Sequence, residues 1–204
     1  MADSLMILWS IICIIRGIVM ATYMKTYMGR KIDPVNPAAN DILIEDIAHA
    51  LSLNCRGNGQ VTHFYSVAQH CINAAKEAIA RGYSDKLVLA CLLHDASEAY
   101  LTDLIRPVKV LMPKYQEIEE TFLNIIYTKF GVGNLSEQER RQVKSVDDDL
   151  LEYDLYYLLK EPLDVNGFKC KRKPDLEFKD FKEVEAEYIK IANIYTSKVN
   201  TAMC

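Results

Sequence analysis

The feature that most constrains the fold is a helical spacing of apolar residues, which recurs through most of the chain after Asp41. One clear example lies between Ser66 and Arg81. The residues of its stripe are Val67, His70, Cys71, Ala74, Ala75 and Ala78. Intervals of three and four residues predict amphipathic helices, and no segment alternates with a period of two for long enough to predict a strand. We therefore expect an all-α fold.

Residues that start and stop helices divide the chain at short intervals. Gly82 suits the left-handed position after a helix, and Ser84 is a natural N-cap for the next helix, whose apolar stripe continues to Glu98. Ser136 and Glu139 form a capping box. The predicted helices begin near these residues: Asp41, Ser66, Ser84, Pro113, Ser136 and Pro174.

Polar residues that can bind metals interrupt the apolar stripes of three predicted helices. These residues are His70, the doublet His94-Asp95, and Asp147. Burying a charge without a partner costs several kcal/mol, so one cation shared between the helices would satisfy all of them together. Two imidazoles and two carboxylates suit Mn²⁺, Fe²⁺, Co²⁺, Ni²⁺ or Zn²⁺ better than Ca²⁺.

Each of these residues also has a simpler explanation. A single buried histidine is more often a hydrogen-bonded core residue than a ligand, and an aspartate on a charged helix usually faces solvent. A purely structural helical protein would, however, have to place His70, His94 and Asp147 where leucine or isoleucine would pack. The ordered combination therefore favours a site.

The segments that carry these residues resemble the HD superfamily of metal-dependent phosphohydrolases, named for its His-Asp doublet. The matching segments are Tyr65 to His70, Leu92 to Glu98, Thr102-Asp103 with Pro107 to Lys109 just beyond, and Val143 to Asp147. The bacterial 5′-deoxynucleotidases are the most similar members. They share the His-Asp-Ala-Ser-Glu stretch, an Asp five residues after that Glu, and an Arg about fourteen residues before the first His.

The resemblance implies an HD-domain helical bundle with one divalent transition metal between helices, whose identity (Mn, Co, Ni, Fe or Zn) stays open. The implied ligands are His70, His94, Asp95 and Asp147. Asp148 and Asp149 follow Asp147, so the alignment alone leaves the last ligand open. Helical phase favours Asp147 and predicts that the other two face solvent.

Further site residues follow from the same resemblance. Glu98 would accept a proton from the attacking water, and Asp103 would orient that water or protonate the leaving oxygen. Arg56, in the glycine-rich loop Cys55 to Gly59, would point at the substrate and bind its phosphate, with His63 and Lys109 as additional substrate-binding candidates. The alternatives are a surface salt bridge for Arg56, a loop hydrogen bond for His63 and a solvated Lys109.

The expected reaction is hydrolysis of (deoxy)nucleoside 5′-monophosphates to nucleoside and phosphate. The similar enzymes carry a large aromatic residue after the phosphate-binding arginine, where this chain has Gly57. Sugar preference and the number of phosphates therefore stay open. Two alternatives remain: a deoxynucleoside triphosphate triphosphohydrolase that releases tripolyphosphate, and a catalytically inactive nucleotide-sensing module.

Composition restricts the partners. The formal net charge is -4, and no dense block of Lys and Arg is present, which argues against a nucleic acid polymer or a membrane surface. We expect a small-molecule nucleotide substrate and a homodimer, to which Tyr153, Tyr156 and Tyr157 could contribute an interface. Six cysteines without a Cys-x-x-Cys pair predict reduced thiols in a cytoplasmic protein.

Residues 1–23 form an apolar extension that precedes a single predicted HD domain over residues 24–204. Its continuous apolar stretch from Leu5 to Ile15 is short for a bilayer span and lacks the basic start of a signal peptide. Three interpretations remain open. The start codon is assigned too early and lies at Met20 or Met24, residues 3–20 form a weak membrane anchor, or they form an extra packed helix.

Overall fold

The computed structural model describes residues 23–162 and 167–202. The three interpretations of the apolar extension fall on residues outside these ranges. Within them, no helix is both long and apolar enough to cross a bilayer.

The described chain is all-α, as predicted, apart from one small hairpin. The helices are α1 (Ile44–Leu53), α2 (Val67–Ala80), α3 (Asp85–Leu93), α4 (Glu98–Leu101), α5 (Arg106–Lys109), α6 (Pro113–Lys129), α7 (Glu137–Leu158) and α8 (Phe181–Ala202). Short 3₁₀ turns cover Ala39–Asp41 and Arg56–Gly59.

The hairpin pairs β1 (Met24–Lys25) with β2 (Lys31–Ile32) in antiparallel register, Met24 opposite Ile32. Each strand has only two residues, which is too short to show the alternation that predicts strands. The strands are joined by a turn in which Gly29 adopts a φ of 80°.

Helix starts follow the predicted caps. The hydroxyl groups of Ser66, Ser84 and Ser136 each accept a hydrogen bond from a backbone N–H three residues later. In α2 and α7 the reciprocal bond completes a capping box, with Gln69 and Glu139 reaching back to the cap. These caps set the start of the two helices that carry His70 and Asp147.

The core is built around α3, in which every residue from Leu87 to Leu93 is buried. Helices α2, α7 and α8 pack around α3, and α1 packs against α8 on the far side. The C-terminal end of α3 therefore lies deep in the protein, which brings the residues after Leu93 close to α2 and α7.

The helix predicted to run from Ser84 through Glu98 ends at Leu93 instead. From there the backbone tightens into turns in which Ala96 N–H bonds to Leu93 and Glu98 N–H to Asp95, before α4 begins. In a continuous α-helix, adjacent side chains diverge by about 100°. The adjacent side chains of His94 and Asp95 nevertheless meet, with His94 Nε2 3.2 Å from Asp95 Oδ2.

Candidate metal centre and adjoining cleft

Four predicted ligands, His70, His94, Asp95 and Asp147, come together at the junction of α2, the end of α3 and α7. One ligand atom from each lies within 4.8 Å of the others. His70 Nε2 is 3.2 Å from Asp147 Oδ1, and His94 Nε2 is 3.2 Å from Asp95 Oδ2 and 3.5 Å from Asp147 Oδ1. The four residues could therefore hold a metal ion.

Both imidazoles are held with the ring nitrogen Nε2 facing this cluster. His94 Nδ1 lies 2.8 Å from the Cys91 carbonyl oxygen, and His70 Nδ1 lies 3.0 Å from Asp154 Oδ2. Because each acceptor requires an N–H, Nδ1 carries the proton of the neutral ring and the Nε2 lone pair is available to a cation. An acceptor behind each histidine is the usual arrangement around a protein-bound metal.

The spacing of the ligand atoms also fits an ion. For bonds of about 2.1 Å, ligands at right angles lie roughly 3 Å apart. The three measured pairs, at 3.2 to 3.5 Å, are close to this value. His94 Nε2 is buried and has no hydrogen-bond partner among the described residues, which is the kind of unmet polar atom that a cation would satisfy.

The charges of the cluster shift the pKa values of its own residues. Burial opposes the charged form of His94, but the charge of Asp95 outweighs it and raises the pKa of His94 well above its usual range. Burial likewise opposes ionisation of Asp147, yet its bond to His70 and the charge of His94 hold the pKa of Asp147 well below its usual range. Burial also opposes ionisation of Asp95, but the charge of His94 lowers the pKa of Asp95, so both carboxylates favour the charged form that a cation binds.

Arg56, which was predicted to point at the substrate from its loop, lies beside the cluster and is paired with carboxylates. Its Nε donates to Asp154 at 3.0 Å and its Nη1 to Asp95 at 3.3 Å, while Nη2 lies 3.8 Å from Asp147. The turn that holds it reverses sharply because Gly57 adopts a φ of 63°. The turn thus carries the guanidinium inward, next to the proposed ligands.

Asp103 fixes the same turn from the other side. Its Oδ2 accepts a hydrogen bond of 3.0 Å from the Gly57 N–H, and its side chain is buried. Asp103 therefore lies at the site and positions the loop that carries Arg56, an interaction that the sequence did not indicate.

A cleft of about 500 Å³ opens from the cluster. The charged residues that line it are Arg56, Asp95, Glu98, Asp103, Arg106, Lys109, Asp147, Asp154 and Glu161. The aliphatic residues that line it are Val61, Leu104, Ile105, Leu151, Leu155, Leu158 and Leu159. No aromatic side chain lines it among residues 23–162 and 167–202.

Glu98 and Lys109 meet in this cleft. Lys109 Nζ lies 3.4 Å from Glu98 Oε1 and 2.7 Å from Glu119, while Glu98 Oε2 is buried without a hydrogen-bond partner in the described part of the chain. Burial, together with the charges of Asp95 and Asp103, raises the pKa of Glu98 well above its usual range. A raised pKa makes the ionised Glu98 carboxylate a better proton acceptor than an exposed glutamate.

His63 is not brought to the site. It is exposed and does not line the cleft, and its Nε2 lies 2.7 Å from the Leu176 carbonyl oxygen. The structure therefore places His63 in the loop hydrogen bond that was its alternative role.

The two aspartates after Asp147 do not behave alike. Asp148 is partly exposed and pairs with Lys144 and Arg106, but Asp149 is buried against Arg81. The prediction that both face solvent is wrong for Asp149, because α7 is covered by α2 on that side as well.

One residue of the site was missed. Asp154 is buried, at 2% exposure, and its Oδ2 bonds both His70 Nδ1 and Arg56 Nε. It follows Asp147 by seven residues, two helical turns along the same face of α7. That spacing could have identified Asp154 as a candidate site residue from the sequence.

The fold and the cluster define an all-α protein with a candidate metal centre. The chain is 38% identical over 132 residues to an uncharacterized protein of Rhodobacter capsulatus, and the match covers 61% of this chain and 67% of the relative. The chain therefore belongs to the same family as that protein.

A second relative is the uncharacterized protein YfdR of Escherichia coli strain K12. The chain is 37% identical to it over 113 residues, which cover 54% of this chain and 60% of the relative. No model of a known protein family matches the chain. The names of the two relatives state no activity.

Proposed function

We propose that the protein is a metal-dependent phosphohydrolase that hydrolyses (deoxy)nucleoside 5′-monophosphates to nucleoside and phosphate. The observation that carries the proposal is the pair of histidines whose Nε2 atoms face two carboxylates beside a cleft with an arginine. This arrangement supports cation binding and anion binding at adjacent positions.

His70, His94, Asp95 and Asp147 would hold the ion, which would activate a water molecule and stabilise charge on the phosphoryl oxygens. Arg56 binds the phosphate through its Nη atoms, since its Nε is already held by Asp154. Lys109 adds positive charge on the other side of the cleft. The ester is thereby held with its phosphorus next to the cluster.

Glu98 is the acceptor for the proton of the attacking water. The attacking water loses a proton to Glu98 as its oxygen bonds to phosphorus, and the bond from phosphorus to the ester oxygen breaks. The leaving oxygen then takes that proton from Glu98, which gives the nucleoside and inorganic phosphate and returns Glu98 to its ionised form. Asp103, one of whose oxygens is held by Gly57 N–H, orients the water from the opposite side.

The charge of the cleft supports a substrate with one phosphate. Among the described residues, its cations are each paired with carboxylates: Arg56 with Asp95 and Asp154, Arg106 with Asp148, and Lys109 with Glu98 and Glu119. A triphosphate would bring several more negative charges into a cleft that is already rich in carboxylates. The aliphatic wall suits the less polar part of a nucleoside.

The test is turnover by the full chain supplied separately with Mn²⁺, Co²⁺ and Mg²⁺. Ribo- and deoxynucleoside mono- and triphosphates are incubated with the protein, and the products are separated by chromatography. We expect nucleoside and orthophosphate from the monophosphates. Tripolyphosphate from the triphosphates would transfer the assignment to a triphosphohydrolase, and no turnover by metal-loaded protein would refute both.

Adjacent aspartates supply a matched control for the same assay. Asp147→Ala removes a proposed ligand, and we expect turnover to fall by about 10³-fold or more. Asp148→Ala removes a neighbouring carboxylate that lies outside the cluster, and turnover should change by only a few fold. Equal losses in the two variants would contradict the ligand assignment.

A further inference from the structure

A single carboxylate oxygen connects the metal centre to the arginine. Asp154 Oδ2 lies 3.0 Å from His70 Nδ1 and 3.0 Å from Arg56 Nε. His70 is fully buried and Asp154 nearly so. The two donors converge on one atom that solvent does not reach.

The bond to His70 determines which ring nitrogen faces the cluster. With the proton of the neutral imidazole on Nδ1 and directed at Asp154, the lone pair of Nε2 is directed toward Asp147, 3.2 Å away. Without that acceptor the ring could rotate or place its proton on Nε2. Asp154 therefore acts on metal binding through His70.

The bond to Arg56 determines where the guanidinium points. Because Nε is held by Asp154, Nη1 and Nη2 are left facing Asp95 and Asp147, at 3.3 and 3.8 Å. These are the two donors that a phosphate next to the cluster would meet. The same Asp154 oxygen thus orients Nη1 and Nη2 of Arg56 toward the position of the anion.

Asp154 is poorly suited to a purely structural role, because its buried carboxylate lowers the stability of the fold. Its second oxygen, Oδ1, is buried and has no hydrogen-bond partner within the described ranges. Half-satisfied buried carboxylates lower stability, and an apolar residue of similar volume is often as stable or more so. The position is better explained by what the carboxylate does to its two partners.

We propose that Asp154 is a positioning residue that couples the metal centre to the anion site by holding His70 and Arg56 through one oxygen. The metal part rests on the cluster alone, and the anion part rests on the proposed function. Loss of Asp154 should therefore weaken cation binding and phosphate binding together.

The experiment compares Asp154→Asn with wild type in two binding titrations. Calorimetry with Mn²⁺ should show a dissociation constant about 10- to 100-fold higher in the variant. Inorganic phosphate added to each protein, with Mn²⁺ raised until the metal site is saturated, should bind roughly 10-fold more weakly to the variant. A change in Mn²⁺ affinity without any change in phosphate affinity, or no change in either, would overturn the coupling.

Asp149→Asn is the matched control. Asp149 is also a buried acid of α7 that bonds an arginine, but its partner Arg81 lies outside the cleft. The Asp149→Asn variant should be less stable than wild type, while its Mn²⁺ and phosphate affinities stay within about twofold of wild type. If Asp149→Asn weakened both ligands as Asp154→Asn does, the effect would be general destabilisation and the proposal would be wrong.

A spectroscopic readout separates positioning from folding. In Zn²⁺-loaded protein labelled with ¹⁵N-histidine, the His70 Nδ1–H should give an exchange-protected signal that is absent in Asp154→Asn. Asp154→Glu, which keeps the buried charge but displaces it by one methylene, tests the same point if the asparagine variant does not fold. An unchanged His70 signal in a folded variant would refute the role.

None of these measurements needs turnover. If no nucleotide is hydrolysed but Asp154→Asn still weakens Mn²⁺ and phosphate binding, the proposed function fails and the coupling stands. If nucleotides are hydrolysed and the variant binds both ligands normally, the coupling fails and the function stands.

Discussion

Two half-buried arginines each join acidic residues of α7 to another part of the chain, and they differ in how fully the side chains around them are hydrogen-bonded. Arg81 bonds Glu77 and Asp149 at 2.7 Å each. Arg56 faces Asp95, Asp147 and Asp154. Both guanidinium groups are largely shielded from solvent, so burial alone does not distinguish them.

The Arg81 network is complete. Glu77 accepts hydrogen bonds from Arg81 and from the backbone N–H groups of Lys171 and Arg172. The exposed Lys169 lies 3.9 Å from Asp149 and 3.6 Å from Glu152 at the edge of this network. Among the described residues, no side-chain atom of this network is buried without a hydrogen-bond partner.

The Arg56 network is not fully hydrogen-bonded. One guanidinium faces three carboxylates, and Asp154 Oδ1 and His94 Nε2 are buried without hydrogen-bond partners among residues 23–162 and 167–202. It also opens on a cleft. Unsatisfied buried polar atoms beside a cleft, rather than burial, therefore distinguish the candidate binding site from the structural ion-pair network.

The largest effect on stability should come from breaking the complete network. Glu77→Gln removes one charge of a buried ion pair and turns an amide NH₂ toward other donors. We expect the free energy of unfolding, measured by urea denaturation, to fall by about 3 to 5 kcal/mol. Mn²⁺ affinity of the folded variant should remain as in wild type, and a large loss of affinity would show that the two networks are not independent.

The incomplete network should respond to a bound cation. At a Mn²⁺ concentration 100 times the dissociation constant, binding adds about 2.7 kcal/mol to the free energy of unfolding. For a chain of this size, that corresponds to a rise in Tm of roughly 5 to 11 °C by thermal denaturation. Asp95→Ala should show no such rise, and an equal rise in that variant would place the ion elsewhere.

Replacing each arginine by lysine sharpens the comparison further. Arg56→Lys removes both Nη donors and the Nε bond to Asp154, so kcat/KM for a nucleoside monophosphate should fall about 10- to 100-fold. Arg81→Lys weakens a network outside the cleft and should leave kcat/KM of the folded enzyme nearly unchanged. Steady-state kinetics on both variants measures this difference. A fall in kcat/KM for Arg81→Lys with none for Arg56→Lys would contradict the assignment.

The helices were predictable because their signals are local. Ser66, Ser84 and Ser136 mark helix starts through hydrogen bonds to residues three positions away, and periodicity assigned the buried faces of α2 and α7. Periodicity also predicted that His70, His94 and Asp147 face inward. The end of α3 at Leu93 was not predictable, because a tightened turn keeps the same apolar spacing as a helix for several residues.

The surroundings of the site depend on tertiary contacts that no local pattern encodes. Asp149 was expected in solvent because the partner that buries it, Arg81, is 68 residues away in the chain. The pairing of Arg56 with Asp154 spans 98 residues. Asp154 itself could have been predicted from the sequence, since it continues the Asp147 face of α7. The two groups that donate to it, on His70 and Arg56, could not have been predicted.

The smallest effect should come from His63, the candidate that the structure places outside the cleft. Its imidazole is exposed and bonds only Thr62 and the Leu176 carbonyl oxygen among the described residues. We expect His63→Ala to change the free energy of unfolding by about 0.5 kcal/mol or less, as exposed substitutions usually do, and to leave KM for a nucleoside monophosphate within about twofold. A severalfold rise in KM would mean that the loop carrying His63 closes over the substrate, and the anion site would then extend beyond Arg56 and Lys109.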